Sequence, residues 1–328
     1  MLIVGMKKYL ILLVILLLQA TGFRNQLYSW GFFGHKRINR VAVFTLPKPM
    51  FKFYKGYIDY VTEHSVDPDK RRHSVKNEAP RHYIDVDHFG IENMPRAWDE
   101  AVSKYTQDTL EAFGIVPWHV HKMYYWLVKA FKEKDRDNIL RLSAEIGHYI
   151  ADAHVPLHTT ENYNGQMSGQ KGIHAFWESR LPELFADDYD YFLPSAKWID
   201  DPLARIWQAV EESHAALDSV LLFEKELTEK FDEGQKYAYE ERGVTVTKAY
   251  SRDFSRAYHN ALNGMVERRM RAAMHCIGSF WYSAWVEAGQ PELESLIDEN
   301  VTKQYLKEID TEKKTWKKGK WIGRSEDD

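Results

Sequence analysis

Two histidine–carboxylate pairs stand close together in this 328-residue chain, His148-x3-Asp152 and His174-x3-Glu178, with His158 between them. A spacing of four puts both members of a pair on one helix face, about one turn apart. One such pair is ordinary surface decoration. Two pairs and a further histidine within 31 residues are a metal-binding constellation. His35 and His82 add two more imidazoles upstream. Cys276 is the only cysteine, so a thiolate cage and an intrachain disulfide are both excluded. Nitrogen and oxygen donors suit zinc. Trp30 lies five residues before His35. Cleavage of the Ser29–Trp30 bond would leave an α-amine of unperturbed pKa roughly 8, which a metal can deprotonate near neutral pH. Several ions held together point to hydrolysis.

The elements that must carry these residues are mostly helical, because apolar residues recur at helical spacing and alternating runs are few. Helices are predicted over residues 38–45, 50–64, 92–113 and 118–134, with Pro117 at a first helical position. The 138–154 helix bears His148 and Asp152 and must end near Val155, because Pro156 disfavours helical geometry just before itself. His158 therefore comes from chain that has left that helix and can turn towards the second pair. Residues 66–80 read as a polar connection, 82–88 as a short, extended stretch, and 165–172, with three glycines, as a surface loop. Helices follow over 173–185, 201–240 and 250–288. Trp126, Trp177, Trp281 and Trp285 are expected first of all in the core, and one or two of them could line the cleft. His64, His73, His88, His119, His121, His154, His214, His259 and His275 are expected to be ordinary polar or core histidines.

Residues 1–29 read as a signal peptide: Lys7 and Lys8, then an apolar run from Tyr9 to Leu18, then small residues. The run is shorter than the ~20 residues a spanning helix needs. The expectation is therefore an exported protein, periplasmic or extracellular. Ala20-Thr21-Gly22 is the better small-x-small match for cleavage, but an N-terminal Trp30 requires a cut after Ser29. The removed piece carries Lys7, Lys8 and Arg24 and no acid, so the net charge would go from −4 to −7. Three Zn²⁺ would return it close to neutrality, and no basic face suggests a duplex-binding protein. One domain over 30–290 is expected, followed by a charged tail over 291–328. In that tail Lys317, Lys318, Lys320 and Trp321 could touch an acidic membrane, although a solvated terminus is the simpler reading.

The stretch HYIADAHVPLH, with WGFFGH before it and HAFWE after it, resembles the zinc-dependent phospholipase C and S1/P1 nuclease superfamily. The resemblance is close from Trp30 to about Pro182 and looser beyond. It implies an all-α, single-domain bundle with a trinuclear zinc cleft. By position, one zinc would take Asp67, His82, His148 and Asp152. A second would take His158, His174 and Glu178. The third would take the amine and carbonyl of Trp30, His35 and the other oxygen of Asp152, which would bridge two ions. Asp69 competes with Asp67, and the family spacing to the next histidine favours Asp67. A water activated between the metals would attack phosphorus in line. Asp67 could help take that water's proton. Asp85 matches a family acid that approaches the substrate or water, or else orients a ligand.

The substrate marks are mixed. The Trp-x4-His opening looks nuclease-like, whereas Glu178, where nucleases typically have aspartate, looks like phospholipase C. The glycine-glycine-asparagine element that holds a base is absent from NYNGQMSGQKGIH, and so are nuclease disulfides. The sequence thus leans towards a phospholipase C-like enzyme acting on a phospholipid or small phosphodiester. A single-strand nuclease or 3′-nucleotidase follows closely. From another class, a non-catalytic zinc-binding exported protein would need saturated ions, whereas a catalytic zinc keeps an open position. Nothing implies a stable protein partner.

Overall fold

A computed structural model describes residues 31–298 apart from 73, 243 and 244, together with 300 and 307. The expected signal peptide, Trp30 and the tail residues Lys317, Lys318, Lys320 and Trp321 lie outside the described residues. Helix dominates, as expected of the all-α fold. In chain order the helices that matter are α1 (Gly31–Ala42), α2 (Lys48–Gly56), α3 (Ile58–Glu63), α4 (Asp67–Arg71), α5 (Trp98–Tyr105), α6 (Gln107–Phe113), α7 (Val116–Glu133) and α8 (Arg136–Ala153). After a loop come α9 (Ile173–Ala175), a π-helical turn (Phe176–Arg180) and α10 (Leu181–Phe185). Helices α11 (Pro202–Lys230), α12 (Arg252–Ala261) and α13 (Met265–Glu287) complete the bundle. No helix among the described residues is long and apolar enough to cross a membrane.

Helix α8 is the axis. Asp135 caps its start by accepting from the Asn138 amide, and the Pro156 turn ends it. Every residue from Leu142 to Ala153 is buried, because α1, α3, α7, α11 and α13 all pack around it. A helix enclosed on all sides must satisfy its polar side chains internally. Ser143 meets the Tyr54 hydroxyl at 2.8 Å, and Glu145 accepts a bidentate pair from Arg71. His148 and Asp152 are the polar residues left to face the cluster. Gly147 lets α1 come close, since a β-carbon there would lie 2.1 Å from Asn39 Oδ1. Asn39 in turn donates to the carbonyls of Ala144 and Val61, tying α1 to α8 and α3.

The chain departs from the sequence reading in several elements, and the helix expected over 92–113 is itself split at Thr106. Tyr237–Arg242 and Thr245–Tyr250 form an antiparallel hairpin where helix was expected up to 240 and again from 250. Tyr250 stacks 3.7 Å from Phe176, and Arg180 pairs with Glu240 and donates to the Tyr250 carbonyl. The hairpin thereby braces the π-turn between α9 and α10. The helix expected over 250–288 breaks at Asn263-Gly264, both at positive φ. Helix α4 interrupts the expected polar connection, and of residues 82–88 Tyr83 is extended after a 3₁₀ turn, whereas Val86–His88 enter one helical turn. Trp177, Trp281 and Trp285 are core residues, whereas Trp126 is 44% exposed. Residues 291–298 dock on α2, with Leu293 buried and Tyr57 donating to the Leu296 carbonyl.

Candidate metal centre

Side chains from several segments converge beside the C-terminal half of α8. His35 comes from α1, Asp69 from α4, His82 from the 3₁₀ turn Ala79–His82, and His148 and Asp152 from α8. His158 comes from the turn after Pro156, His174 from α9 and Glu178 from the π-turn. All of them are buried. Three groups have donor atoms close enough to share an ion: His35, His148 and Asp152; Asp69, His82 and His148; and His158, His174 and Glu178.

The spacings fit zinc. Tetrahedral ligands with arms of about 2.0–2.1 Å lie roughly 3.4 Å from one another. Around the central group, His82 Nδ1 to Asp152 Oδ2 is 2.9 Å, His82 Nδ1 to His148 Nε2 is 3.0 Å and His148 Nε2 to Asp152 Oδ2 is 3.3 Å. Asp69 Oδ1 closes the figure at 3.6 Å from His148 and 3.8 Å from His82. Asp152 then turns its second oxygen away, placing Oδ1 3.4 Å from His35 Nε2. Glu178 Oε2 stands 3.4 Å from His158 Nε2 and 3.1 Å from His174 Nε2.

Backbone carbonyls fix the rings. His148 Nδ1 donates to Ser65 and His158 Nδ1 to His82, so both present Nε2 to the cluster. His82 presents Nδ1, and its Nε2 faces Glu78 at 3.8 Å. Meanwhile both nitrogens of His35 and His174, both oxygens of Asp69 and Glu178, and Nε2 of His158 have no hydrogen-bond partner among the described residues. So many buried orphans at ligand spacing make a cage for cations, since leaving a single buried polar group unpaired costs ~1–3 kcal/mol.

The electrostatics agree. Burial alone would raise the Asp152 carboxyl, but His148 and His158 hold it well below its usual range. Glu178, likewise desolvated, is held down to about 2 by His174 and His158. Burial keeps His82 neutral, the form that binds a metal. Asp85 behaves oppositely: burial, Asp87 and Glu161 push its carboxyl up to about 7.

One expected residue is not in the cluster. Asp67 points to solvent, accepting from Lys70 at 2.8 Å and pairing with His64 at 2.6 Å. Asp69, two residues on and 5% exposed, stands where Asp67 was expected, and so the proton-accepting part assigned to Asp67 has no geometric basis. On a helix the two side chains diverge, and α4 turns the second one inward. Glu78 was missed altogether. It is fully buried, binds Arg71, Arg81 and the Tyr149 hydroxyl, and backs His82. Its only trace in the sequence is a spacing of four before His82.

Residues 30–275 match the family described as S1/P1 Nuclease. This chain belongs to the S1/P1 nuclease family. The family is one of zinc-dependent phosphodiester hydrolases, which makes this protein a hydrolase acting on phosphoric diester bonds and agrees with its three cation-ready groups. The match supports the nuclease side of the superfamily better than the phospholipase C side that the sequence put first. No curated protein matches the chain.

Proposed function

We propose that this S1/P1-family protein is an exported three-zinc hydrolase of single-stranded nucleic acid and 3′-nucleotides. The family match over residues 30–275 carries the reading, laid over a cluster in which Asp152 turns Oδ2 to His82 and Oδ1 to His35. Asp69, His82, His148 and Asp152 Oδ2 would hold one ion, and His158, His174 and Glu178 a second. His35 and Asp152 Oδ1 would hold the third, with the amine and carbonyl of Trp30. Zinc, when bound, supplies Lewis acidity towards phosphoryl oxygens and lowers the pKa of water. The chain does the rest. Asp152 would offer one oxygen to each of two ions, while the Ser65 and His82 carbonyls fix the orientation of His148 and His158. Asp85, whose carboxyl burial, Asp87 and Glu161 push upward, is the candidate to donate a proton to a substrate oxygen. Export is supported by the charged and apolar pattern of residues 1–29 and by a family match that begins at residue 30.

Two features favour a phospholipase C-like substrate as the second reading: Glu178 in place of aspartate, and a loop without the base-holding glycine-glycine-asparagine. Purified protein beginning at Trp30 should be assayed against single-stranded DNA, RNA, 3′-nucleotides and phosphatidylcholine vesicles, with and without chelator. Chelator-sensitive cleavage of the nucleic acids supports the first reading. Cleavage of phosphatidylcholine alone would replace it with the second.

A further inference from the structure

Behind the metal centre lies a separate cavity of about 710 Å³, lined from α5, α6, α7 and the turn before His82. Volumes of this size hold small organic ligands. Three indoles form much of its wall. Trp98 and Trp118 meet edge-on at 5.3 Å, and Trp126 stands half-exposed at the mouth with Lys122 5.1 Å from its ring centroid. His119 lines the interior and is only 8% exposed. Burial and the nearby Arg81 and Lys122 hold this imidazole neutral, lowered to about 3, so it offers one donor and one acceptor. Glu111 adds an acceptor already oriented by amide donors, Asn77 at 3.1 Å and Gln107 at 2.7 Å.

We propose that this cavity is a second nucleotide-binding site, distinct from the metal centre. Indole faces give a stacking surface for a base, His119 and Glu111 give edge contacts, and Lys122 gives a phosphate its countercharge, Arg81 being already paired with Glu78. A neutral sugar would use the indoles and amides but would leave Lys122 without a role. A lipid chain would leave His119 and Glu111 unpaired. The proposal deepens the nuclease reading and rests on it for choosing a nucleotide over other planar anions. The site is near the chemistry but walled from it: the Tyr149 ring lies 4.6 Å from His119 and 5.2 Å from His82.

The test is calorimetric titration of the zinc-loaded protein with 5′-AMP. Two sites are expected in the wild type. Trp126→Ala and Lys122→Glu, both at exposed positions where folding is not at stake, should weaken one of them about tenfold or more. The other site should stay, and so should hydrolysis of 3′-AMP. A Glu178→Ala protein should show the reverse pattern. A single AMP site untouched by Trp126→Ala and Lys122→Glu would overturn the proposal, even if nucleic acid is hydrolysed. So would binding of a neutral oligosaccharide, but not AMP, that is lost in those variants. If no nucleic acid is cleaved and the AMP site still disappears with Lys122→Glu, the nuclease reading fails and the cavity assignment stands.

Discussion

Replacing Asp69 by asparagine should move stability in opposite directions with and without zinc. Asp69 is 5% exposed, and neither of its oxygens has a hydrogen-bond partner among the described residues. In chelator, a buried carboxylate without a hydrogen bond is a net cost, because burial outweighs the pull of His148 3.6 Å away and raises the Asp69 carboxyl, and a neutral amide of the same shape removes most of that cost. A gain of about 1–2 kcal/mol is reasonable for relieving one such group. At roughly 2–4 °C per kcal/mol for a domain somewhat smaller than this one, Tm should rise by about 2–8 °C. Excess zinc reverses the sign. Removing one of four ligands should weaken that ion by at least the ~100-fold reached when an outer-shell partner is lost. At a zinc concentration of about 1,000 times the wild-type Kd, the ion contributes about 4.1 kcal/mol, and a site roughly a hundredfold weaker contributes about 1.4. The variant should therefore end about 1 kcal/mol below wild type in zinc. Asp67→Asn is the matched control. It breaks only partly exposed pairs with Lys70 and His64, so it should shift stability by less than about 1 kcal/mol in either condition and keep every ion. Thermal melts in chelator and in zinc, with metal content measured on the same samples, decide the matter. If Asp67→Asn loses an ion and Asp69→Asn does not, the placement of α4 is wrong.

Asp152→Ala should abolish hydrolysis and release two ions rather than one, because its two oxygens face different groups; loss of a single equivalent would refute the bridge. Extra residues left ahead of Trp30 turn its amine into an amide, so such a protein should fold, hold one zinc fewer and lose most activity. Equal activity in the tagged and processed forms counts against the terminal ligand. Asp85, raised to about 7, stabilises the fold fully below its unfolded pKa near 3.8, and that contribution is lost as pH rises through about 7. In chelator, Asp85→Asn should therefore gain in Tm over wild type between about pH 5 and pH 8, and a constant difference would show that the carboxyl is not so shifted.

What the sequence revealed of the site follows from where each ligand sits. His148, Asp152, His174 and Glu178 lie at helical spacing within single segments, so local geometry alone pairs them. His158 was placed by a proline. Asp67 and Asp69 could not be separated that way, because both sit on the single short helix α4 and only its packing decides which one turns inward. Glu78 was invisible for a similar reason: its partners Arg71, Arg81 and Tyr149 come from three different segments. The hairpin escaped because the chain up to Glu240 read as one long helix, although Thr245, Val246 and Thr247 gave a β-branched signal just after Gly243. Trp126 departs from the core placement because an indole on an amphipathic helix reads first as core, whereas here it is half-exposed and lines a cavity, as one or two of the four tryptophans could.

Gly147 touches none of the cation ligands' donor atoms, yet it sets how far apart two ligand groups can be. Asn39 Oδ1 would be 2.1 Å from a β-carbon there, so even alanine requires α1 to retreat or Asn39 to abandon its two carbonyls. His35 rides on α1, stacked 3.9 Å from His148, and would retreat with it. Metal cages accept errors of only about 0.2 Å in each ligand distance. A variant with a methyl group at 147 would keep every donor atom of the cluster and still mis-gauge the gap between the His35 side and the His82 side. The hydrogen atom at position 147 works as a ruler, and the length it measures is the gap between the donor atoms of α1 and those of α8.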